Sequence, residues 1–551
     1  MTTFAGPALD EVEGIGALTM GGFLAEVVDR FGPNEAVVFD DALRDGETVR
    51  WTYDDLGREA RRVAAALVAA GVEPGEAVAI VMANRPEALA ALFGAAMVGA
   101  VAAPTSTFSP RPELGDLLRI GGAVAVLTQA ELRGRRFGDD VAAVRHRLDH
   151  VRSVAVLGEA SWDELLAAGE AVAAEELDAR MAAVAPDDPA LAIFSSGTTS
   201  EPKGMLHGHR SPCLQFWLQA GLFGRDERTR LYTPLPIFWT AGLNTAVGST
   251  LAAGGTWIAQ EVFDAGEALR LLERERVTEP YTLPHQTAAL ADHPGWAGTD
   301  LSSIRCAYGK GAYARHPTVD PDPCWIMPVG YGLSETCSFV SGYGCRESRE
   351  QMKVGNGRLL PGTSLRVIDP DSGAVLGVDQ AGELAVAGAT RMLGYLGRPA
   401  EECFDADGFF RTGDAGHVDA EGIVHWTGRR TEMIKTGGAN VSPAEIEVAL
   451  RACPPVKLSR VVGVDDRRLD QIVVACIVCR DGETATEADI QRFLRGRVAA
   501  YKVPKRVLFF AADEVPMTSS ATKVRDDALL DLVHQRLAPA EPTATTAPGA
   551  R

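Results

Sequence analysis

Segments with helical spacing of apolar residues alternate with short apolar runs up to about residue 330, and this alternation constrains the fold more than any other feature. Trp51 to Gly71 has helical periodicity after an Asp-rich start, and Glu76 to Met82 follows it as an apolar strand. Such alternation predicts parallel sheets covered by helices, with ligands at the carboxyl ends of the strands. We therefore expect an α/β fold for this part of the chain.

The last third of the chain has a different texture. Gly362 to Gly388 consists of short alternating runs separated by Gly, Pro and Asp, which predicts a small antiparallel or barrel-like β subdomain. A helix is predicted for the segment PAEIEVALRAC, and the Pro-, Ala- and Thr-rich end, residues 538–551, is expected to be disordered. A chain of 551 residues exceeds one ordinary core, so two or more domains are expected.

Composition argues against several classes of function. The formal net charge of −20 and the pI near 5.0 disfavour a nucleic-acid-binding surface. The start of the chain has no basic segment followed by an apolar core, and no run of about 18 apolar residues occurs, so we expect a cytoplasmic protein without an integral membrane segment. Cys476 and Cys479 lie in the strand-like run IVVACIVC and are interpreted as packed reduced thiols rather than metal ligands.

One loop combines the residue types that bind polyphosphate. Ser195 to Gly204, SSGTTSEPKG, follows the apolar run Leu191 to Phe194, which is interpreted as a buried strand. Glycines let the backbone approach an anion closely, hydroxyl groups add donors, and a lysine supplies positive charge. The Walker A spacing is absent, and from composition alone a surface linker rich in Gly, Ser and Thr is an equal alternative. The candidate nucleotide-binding residues of this loop are Ser195, Ser196, Gly197, Thr198, Thr199 and Lys203.

This loop resembles the phosphate loop of the adenylate-forming superfamily, which includes acyl-CoA synthetases, luciferases and the adenylation domains of peptide synthetases. Their loop reads [ST]SGTTGxPKG, and Ser200 stands here where the family usually has glycine. The segment 409–430, FFRTGDAGHVDAEGIVHWTGRR, matches the pattern [WF]xxTGDxxxxDxxGxxxxxGR over its full length. The resemblance covers nearly the whole chain. It implies a large N-terminal domain, residues 1–428, and a smaller, mobile α+β C-terminal domain, residues 429–537.

The resemblance also implies a metal and nucleotide site in the segment YGLSET. Tyr331 would pack on adenine with Gly332 beside it, Ser334 would touch the α-phosphate, and Glu335 would help to hold Mg²⁺. A carboxylate suits this place, because a Mg²⁺ ion that it recruits neutralises ATP where the nucleophile must approach.

Three further segments complete the nucleotide and thiol sites that the resemblance implies. Asp414 would accept both ribose hydroxyls, and Arg429 would contact the ribose and phosphate side. The segment YGKGAY takes the place of the adenine loop, and IKTGGAN matches the loop that lines the thiol tunnel of acyl-CoA synthetases. The residues implied in these two loops are Gly309, Gly311, Ala312, Lys435, Gly437 and Gly438.

The catalytic lysine is assigned to Lys523, in VPMTSSATKVRDD, where the family carries PxTxxGK. The glycine of that motif is absent here, and the spacing from Pro516 to Lys523 is one residue longer than usual. A lysine that reaches both the attacking carboxylate and the α-phosphate would stabilise charge as pyrophosphate leaves. With Lys203 and Glu335 it forms the predicted catalytic set. Thr431 stands where a hinge Asp or Lys is usual, so the hinge departs from the family pattern.

The predicted substrate pocket consists of His209, Trp239 and Lys310. His209 matches the histidine that follows the phosphate loop, and Trp239 replaces the histidine of the family segment PxFHxxG. A large aromatic wall favours an apolar or aromatic acid, with core packing as the alternative. Lys310 faces either a polar or anionic group on the substrate, or solvent.

Together these features predict an AMP-forming carboxylate–CoA ligase that uses ATP, Mg²⁺ and coenzyme A. An aromatic or a short to medium apolar acid would give an acyl adenylate and then a thioester. Two other acceptors stay open, namely the pantetheine arm of a carrier protein and nitrite in the diazotisation of an aryl amine. A nucleotide-binding protein that has lost catalysis is the alternative of another class. The altered Lys523 motif favours that alternative, whereas the intact set of Asp414, Arg429, Lys203 and Glu335 disfavours it.

Overall fold

The computed structural model describes residues 2–195, 202–306, 311–320, 328–348, 350–430, 433–436, 439–466, 469–495, 497–498, 502–517 and 524–537. The α-helices are α1 Met20–Phe31, α2 Tyr53–Ala69, α3 Pro86–Met97, α4 Arg111–Ile120, α5 Phe137–Val144, α6 Ala160–Gly169, α7 Ala174–Ala183, α8 Arg210–Phe223, α9 Ser249–Ala252, α10 Ala265–Arg274, α11 Pro284–Asp292, α12 Pro443–Leu450, α13 Glu487–Leu494 and α14 Asp526–Leu537. A π-helix covers Ala241–Gly248. Short 3₁₀ turns cover Leu9–Glu11, Ala42–Arg44, Arg145–Arg147, Trp296–Gly298, Tyr313–Arg315, Ser334–Thr336, Gln351–Lys353 and Ala400–Glu402.

The strands are β1 Phe4–Ala5, β2 Glu35–Asp41, β3 Glu47–Thr52, β4 Ala77–Val81, β5 Val101–Pro104, β6 Ala123–Gln129, β7 Ser153–Leu157, β8 Pro189–Ser195, β9 Lys203–Gly208, β10 Arg230–Thr233, β11 Thr256–Ala259, β12 Glu279–Pro280, β13 Gly330–Leu333, β14 Ser338–Gly342, β15 Arg358–Leu359, β16 Thr363–Ile368, β17 Gly382–Gly388, β18 Gly394–Tyr395, β19 Phe410–Val418, β20 Val424–Arg429, β21 Ile434–Thr436, β22 Ala439–Val441, β23 Val456–Asp466, β24 Asp470–Cys479 and β25 Arg506–Phe509.

Contacts divide the chain into two compact units. The first, here the N-terminal unit, comprises Met1–Thr412 and Gly416–Trp426. The second, here the C-terminal unit, comprises Gly413–Ala415 and Thr427–Arg551. The α/β class that the sequence predicts is confirmed, and each unit is described by itself below.

The larger sheet of the N-terminal unit has the strand order β18-β9-β8-β5-β4-β6-β7. Strands β4 to β8 pair in parallel within it, as the alternating pattern predicts. Strands β9 and β18 add an antiparallel edge, because the connection from β8 to β9 is too short to contain a crossover helix. This sheet therefore carries the phosphate-loop segment at its mixed edge.

A second sheet of the N-terminal unit has the order β12-β10-β11-β2-β3, with all neighbours parallel except β2 and β3. The helix that the sequence predicts at 51–71 is α2, which begins at the N-cap Thr52 with Asp55 in a reciprocal capping box. Helix α3 is buried along its whole length because it packs against α1, α2 and the strand β5.

Two smaller sheets follow. Strands β13, β14 and β15 form an antiparallel three-stranded sheet. The segment 362–388, predicted as an antiparallel subdomain, forms β16 and β17, which pair antiparallel in a five-stranded sheet of order β1-β16-β17-β19-β20.

The C-terminal unit is α+β. Its sheet has the order β22-β21-β24-β23, and β25 pairs in parallel with β24. The predicted helix PAEIEVALRAC is α12, which begins at the N-cap Ser442 with a proline in its first turn. Cys476 lies buried on β24 among apolar side chains, and its burial raises the pKa of its thiol to about 12. The packed reduced thiol predicted from the sequence agrees with this environment.

None of the helices within the described ranges is long and apolar enough to cross a membrane.

Candidate active site

The carboxyl edges of the two parallel sheets meet at a buried ion cluster around Arg85. Arg85 follows β4, and its side chain is only 1% exposed. Its guanidinium donates to Asp41, which ends β2, to Glu87, and to Glu261, which follows β11, in each case at 3.0 Å. Burial raises the pKa of Glu261, and Arg85 offsets part of this effect. Since ligands of α/β folds bind outside the carboxyl ends of strands, this junction marks the end of both sheets at which a ligand is expected.

The described part of the phosphate loop consists of its two ends. Ser195 ends β8 and is paired in register with Lys203, the first residue of β9. The Lys203 side chain is exposed, as a lysine that must reach a ligand requires. At Gly204, a Cβ would lie 2.6 Å from Leu396 Cδ1, so a larger residue here would have to displace the Leu396 side chain.

Glu335 lies in a tight turn between two antiparallel strands. The 3₁₀ turn Ser334–Thr336 joins β13 to β14, and Cys337 ends it in the left-handed region with a φ of 61°. Tyr331 is buried on β13. At Gly332, a Cβ would lie 2.1 Å from the carbonyl oxygen of Ser338, so the two strands approach closely only because this residue is glycine.

Two buried amides hold this turn in place. Gln215 on α8 donates from Nε2 to the carbonyls of Thr336 at 3.1 Å and Phe339 at 2.8 Å. Asn244 on the π-helix donates to the carbonyl of Cys337. Neither amide is predicted from the sequence, because a single amide inside an apolar helix forms no motif. Their effect is to fix the backbone that directly follows Glu335.

Tyr395 connects the two catalytic candidates of the N-terminal unit. Its hydroxyl donates to Glu335 Oε1 at 2.8 Å, and Lys203 Nζ lies 5.7 Å from the centroid of its ring. Burial raises the pKa of Tyr395 and the Glu335 carboxylate raises it further, so the phenol stays protonated and acts as a donor. The sequence analysis missed Tyr395. Its only local signal is a short GYLG run, which by itself reads as a turn.

An aromatic cluster lies at the carboxyl ends of β5 and β10. Trp239 is half-buried, and its ring lies 5.9 Å from the ring of Phe238 and 6.1 Å from that of Phe108, both in edge-on geometry. Phe108 follows β5, and its ring lies 5.3 Å from that of Phe238. Trp239 thus lies in a cluster of three rings, and its role as the wall of a substrate pocket stays a prediction.

Asn84 holds the segment that carries Trp239. Asn84 follows β4 in the chain and is buried. Its Nδ2 donates to the Leu235 carbonyl at 3.0 Å, and its Oδ1 accepts from the Ile237 N–H at 3.1 Å. A side-chain amide that satisfies one donor and one acceptor of an irregular segment replaces the pairing a strand would provide. Asn84 therefore sets the position of the aromatic cluster.

Two buried histidines follow the phosphate loop. His207 on β9 is fully buried, and burial lowers its pKa to about 4, although the backbone of Ser334 partly opposes the shift. His209 precedes α8, and its Nδ1 accepts from the N–H of Met20 at 3.2 Å. Burial lowers the pKa of His209 to about 4 as well, against the smaller opposing effect of Asp188. Both imidazoles are therefore neutral near pH 7. The pocket role of His209 stays a prediction.

The C-terminal unit brings Asp414 and Arg429 together. Asp414 on β19 is 3% exposed, and its Oδ1 lies 3.1 Å from Nε of Arg429 at the end of β20. The Arg429 side chain is 43% exposed, so the pair presents a guanidinium at the surface of the unit while the carboxylate stays buried. Lys435 on β21 is exposed, and its backbone N–H donates to Gln471 Oε1 at 3.0 Å.

Part of the predicted site lies outside the described residues. Of the adenine loop, Gly311 and Ala312 are half-buried immediately before the 3₁₀ turn Tyr313–Arg315. Met517 and Val524 pair as an isolated antiparallel bridge on the two sides of the segment that contains the catalytic lysine candidate. The predicted residues outside the described ranges are Ser196, Gly197, Thr198, Thr199, Gly309, Lys310, Gly437, Gly438 and Lys523.

Comparison with known proteins identifies the family. Residues 24–396 match the AMP-binding enzyme family, and residues 445–522 match the AMP-binding enzyme C-terminal domain. An indoleacetate–CoA ligase of Aromatoleum aromaticum is 34% identical over 494 residues, which cover 88% of this chain and 94% of that protein. A feruloyl-CoA synthase of an Amycolatopsis species is 34% identical over 495 residues, 87% of this chain and 93% of that protein.

A solved structure shares the fold. The crystal structure of an anthranilate CoA ligase in complex with anthranoyl-AMP superposes with a TM-score of 0.79 at 23% sequence identity, covering 95% of this chain and 98% of that one.

This chain belongs to the AMP-binding enzyme family, so the predicted membership of the adenylate-forming superfamily is confirmed. The predicted chemistry, activation of a carboxylic acid followed by thioester formation with coenzyme A, agrees with relatives that are CoA ligases and synthases.

Proposed function

We propose that this chain is an AMP-forming CoA ligase for an aromatic carboxylic acid. The observation that carries the proposal is that Tyr395 contacts both Glu335 and Lys203: its hydroxyl donates to Glu335, and the Lys203 ammonium lies 5.7 Å from its ring centroid. A nucleoside triphosphate needs a cation to bind its phosphates, and its metal ion needs a carboxylate. Here one side chain, that of Tyr395, contacts both groups. Family membership supplies the reaction type.

In the proposed first step, a carboxylate oxygen of the acid attacks the α-phosphorus of ATP, and the bond to pyrophosphate breaks. Lys203 and Lys523 stabilise the charge that develops on the phosphates. Asp414 accepts from the ribose hydroxyls, and Arg429, whose guanidinium is accessible in the C-terminal unit, contacts the ribose and phosphate side. In the second step, the thiol of coenzyme A loses its proton and its sulfur attacks the acyl carbonyl, so that AMP leaves with the former carboxylate oxygen.

Glu335 is the residue that would hold Mg²⁺. Within the part of the chain that the structure describes, no group of three or more His, Cys, Asp and Glu side chains forms a metal site. That finding suits Mg²⁺, which keeps several waters and binds proteins through one or two carboxylates together with substrate phosphates. When bound, Mg²⁺ supplies charge neutralisation at the phosphates.

The aromatic cluster of Phe108, Phe238 and Trp239 supports an aromatic acid as the substrate. Edge-on aromatic contacts are worth about 0.5–1.5 kcal/mol each beyond the burial of area. The relatives named for indoleacetate and ferulate act on acids that carry a ring. Lys310 is proposed to face a polar or anionic substituent on that ring.

Coenzyme A is the proposed acceptor, and the loop of Lys435, Gly437 and Gly438 is proposed to line its thiol tunnel. Two other acceptors are outcomes of the test, namely a pantetheinylated carrier protein and nitrite with an aryl amine. Replacing Gly437 with a bulky residue should slow thioester formation more than adenylation, because only the thiol step needs a narrow backbone there. Equal losses in both steps would contradict this role of the loop.

A substrate panel tests the proposal. Pyrophosphate release is measured with ATP, Mg²⁺ and a series of aromatic and aliphatic acids, with and without coenzyme A, pantetheinylated carrier, or nitrite plus aryl amine. Mass spectrometry identifies the products. We expect an aryl-CoA thioester from an aromatic acid. Pyrophosphate release without a thioester would move the acceptor elsewhere, and no release with any acid would show a protein without adenylation activity.

A pair of tryptophan variants tests the pocket. Trp239→Leu should lower kcat/KM for aromatic acids by about 2- to 10-fold relative to aliphatic acids, because the edge-on contacts are lost. Trp51→Leu is the matched control. Trp51 is also half-buried, but it pairs with Val37 near the amino ends of the parallel strands of the second sheet. The aromatic cluster lies at the carboxyl ends, so Trp51 is distant from it. An unchanged acid preference in Trp239→Leu, or an equal change in both variants, would contradict the aromatic wall.

A further inference from the structure

The segment 392–396 connects the two halves of the phosphate and metal site through its backbone. The N–H of Met392 donates to the carbonyl of Glu335 at 2.8 Å, and the N–H of Leu396 donates to the carbonyl of Gly204 at 2.8 Å. Between these two bonds, Tyr395 pairs in register with Met205 on β9. The peptide that bears Tyr395 is therefore bonded at one end to the metal-ligand turn and at the other to the strand of the phosphate-loop lysine.

The Tyr395 side chain repeats this connection. Its hydroxyl donates to Glu335 Oε1 at 2.8 Å, and the Lys203 ammonium lies 5.7 Å from its ring centroid. Its ring also lies 6.2 Å from that of Phe410, in edge-on geometry. Packing against Phe410 needs only a ring, so a phenylalanine would satisfy it. The hydroxyl group, by contrast, donates to a charged acceptor, the carboxylate of Glu335.

We propose that Tyr395 is a positioning residue that orients the Glu335 carboxylate for the metal ion and holds the Lys203 ammonium over its ring. The inference rests on the proposed function. By occupying Oε1, the phenol restricts the rotation of the carboxylate about its last bond and leaves Oε2 for the metal ion. Hydrogen bonds to a ligating carboxylate set its orientation, and their removal typically costs about 10- to 100-fold in metal affinity or activity.

The ring contributes separately. A cation within about 6 Å of a ring centroid is attracted to the ring face. Lys203 has a long, flexible side chain, so a preferred position over the ring lowers the entropy it must lose when a nucleotide binds. Tyr395→Phe removes the hydroxyl and keeps the ring, whereas Tyr395→Leu removes both, so the two variants separate the two effects.

The test measures metal binding directly. Mn²⁺ is titrated by electron paramagnetic resonance into the whole protein in the presence of α,β-methylene ATP, which cannot be cleaved to AMP. We expect Tyr395→Phe to weaken Mn²⁺ binding by about 10- to 100-fold with an unchanged thermal midpoint. We expect Tyr395→Leu to weaken binding of the nucleotide analogue by a further factor of about 2 to 5. The Mg²⁺ concentration for half-maximal ATP–pyrophosphate exchange should rise in parallel.

Tyr53→Phe is the matched control, because it also removes a buried hydroxyl, one that donates to the carbonyl of Gly255 at 2.7 Å, and leaves Glu335 untouched. A double-mutant cycle completes the test. In a Glu335→Gln background, Tyr395→Phe should have little further effect on Mn²⁺ binding, since the two residues act through one interaction.

Each outcome decides the inference. Unchanged Mn²⁺ binding in Tyr395→Phe, an equal loss in Tyr53→Phe, or a full loss that persists in the Glu335→Gln background would overturn it while the proposed function stands. If the wild-type protein binds neither the analogue nor Mn²⁺ and releases no pyrophosphate, the proposed function itself fails and the inference fails with it.

Discussion

Gly332→Ala should damage both folding and adenylation, because the structure leaves no room for a methyl group there. A Cβ at this position would lie 2.1 Å from the carbonyl oxygen of Ser338 and 2.7 Å from Cα of Phe339. Both contacts are backbone atoms, so β13 and β14 must separate by roughly 1 Å to restore ordinary packing. Inserting a methyl group into such a place costs about 1–3 kcal/mol in the free energy of unfolding.

The effect on catalysis follows from the position of Glu335, three residues after Gly332, in the turn that joins β13 to β14. A displacement of about 1 Å at a reacting group costs on the order of 100-fold in rate. We therefore expect ATP–pyrophosphate exchange to fall by about that factor. The stability loss is measured as a lower denaturant midpoint, followed by tryptophan fluorescence.

Gly221→Ala is the control for this prediction. Gly221 lies in helix α8, and a Cβ there would have no neighbour within 4 Å beyond its adjacent residues and the backbone of its own helix. Alanine should therefore leave activity unchanged and raise helix stability by up to about 1 kcal/mol. If Gly332→Ala kept the wild-type midpoint and exchange rate, the close approach of β13 and β14 would not be the reason for glycine at this position.

Three further predictions concern other parts of the site. Asn84→Ala removes the hydrogen bonds to Leu235 and Ile237, which costs about 1–3 kcal/mol in the free energy of unfolding for each group left unsatisfied. The variant should also discriminate less between aromatic and aliphatic acids in kcat/KM. Full discrimination would contradict the role of Asn84 in positioning the aromatic cluster. The free energy of unfolding should fall as the pH decreases from about 6.5 to about 4, because His207 takes up a proton in the unfolded chain but stays neutral while it is buried. His207→Asn should flatten part of this pH dependence in denaturant titrations. An unchanged pH dependence in that variant would assign the effect to other groups. Lys523→Ala should slow adenylation by about 100- to 1000-fold, while ATP binding, measured at equilibrium, stays nearly intact. Adenylation at the wild-type rate would show that another cation stabilises the transition state.

Much of the fold follows from local pattern. The helical spacing of Trp51 to Gly71 and the apolar run Glu76 to Met82 correspond to α2 and β4, because burial of one helix face or of a whole parallel strand leaves its period in the sequence. The predicted phosphate loop combines glycines, hydroxyls and a lysine within a few residues, as a loop that binds an anion needs, but only the family resemblance favoured it over a surface linker. Family resemblance then named Glu335, Asp414 and Arg429 from contiguous motifs.

Only the tertiary structure decided which residues hold those motifs in place. Tyr395 reaches Glu335 across 60 positions of sequence, and Asn84 reaches the Leu235 carbonyl across 151. Neither contact leaves a local period or a motif, since a hydrogen bond between distant residues depends on how the strands are ordered in space. The sequence by itself determined the elements and the reactive groups, and the packing of the sheets determined how those groups are oriented.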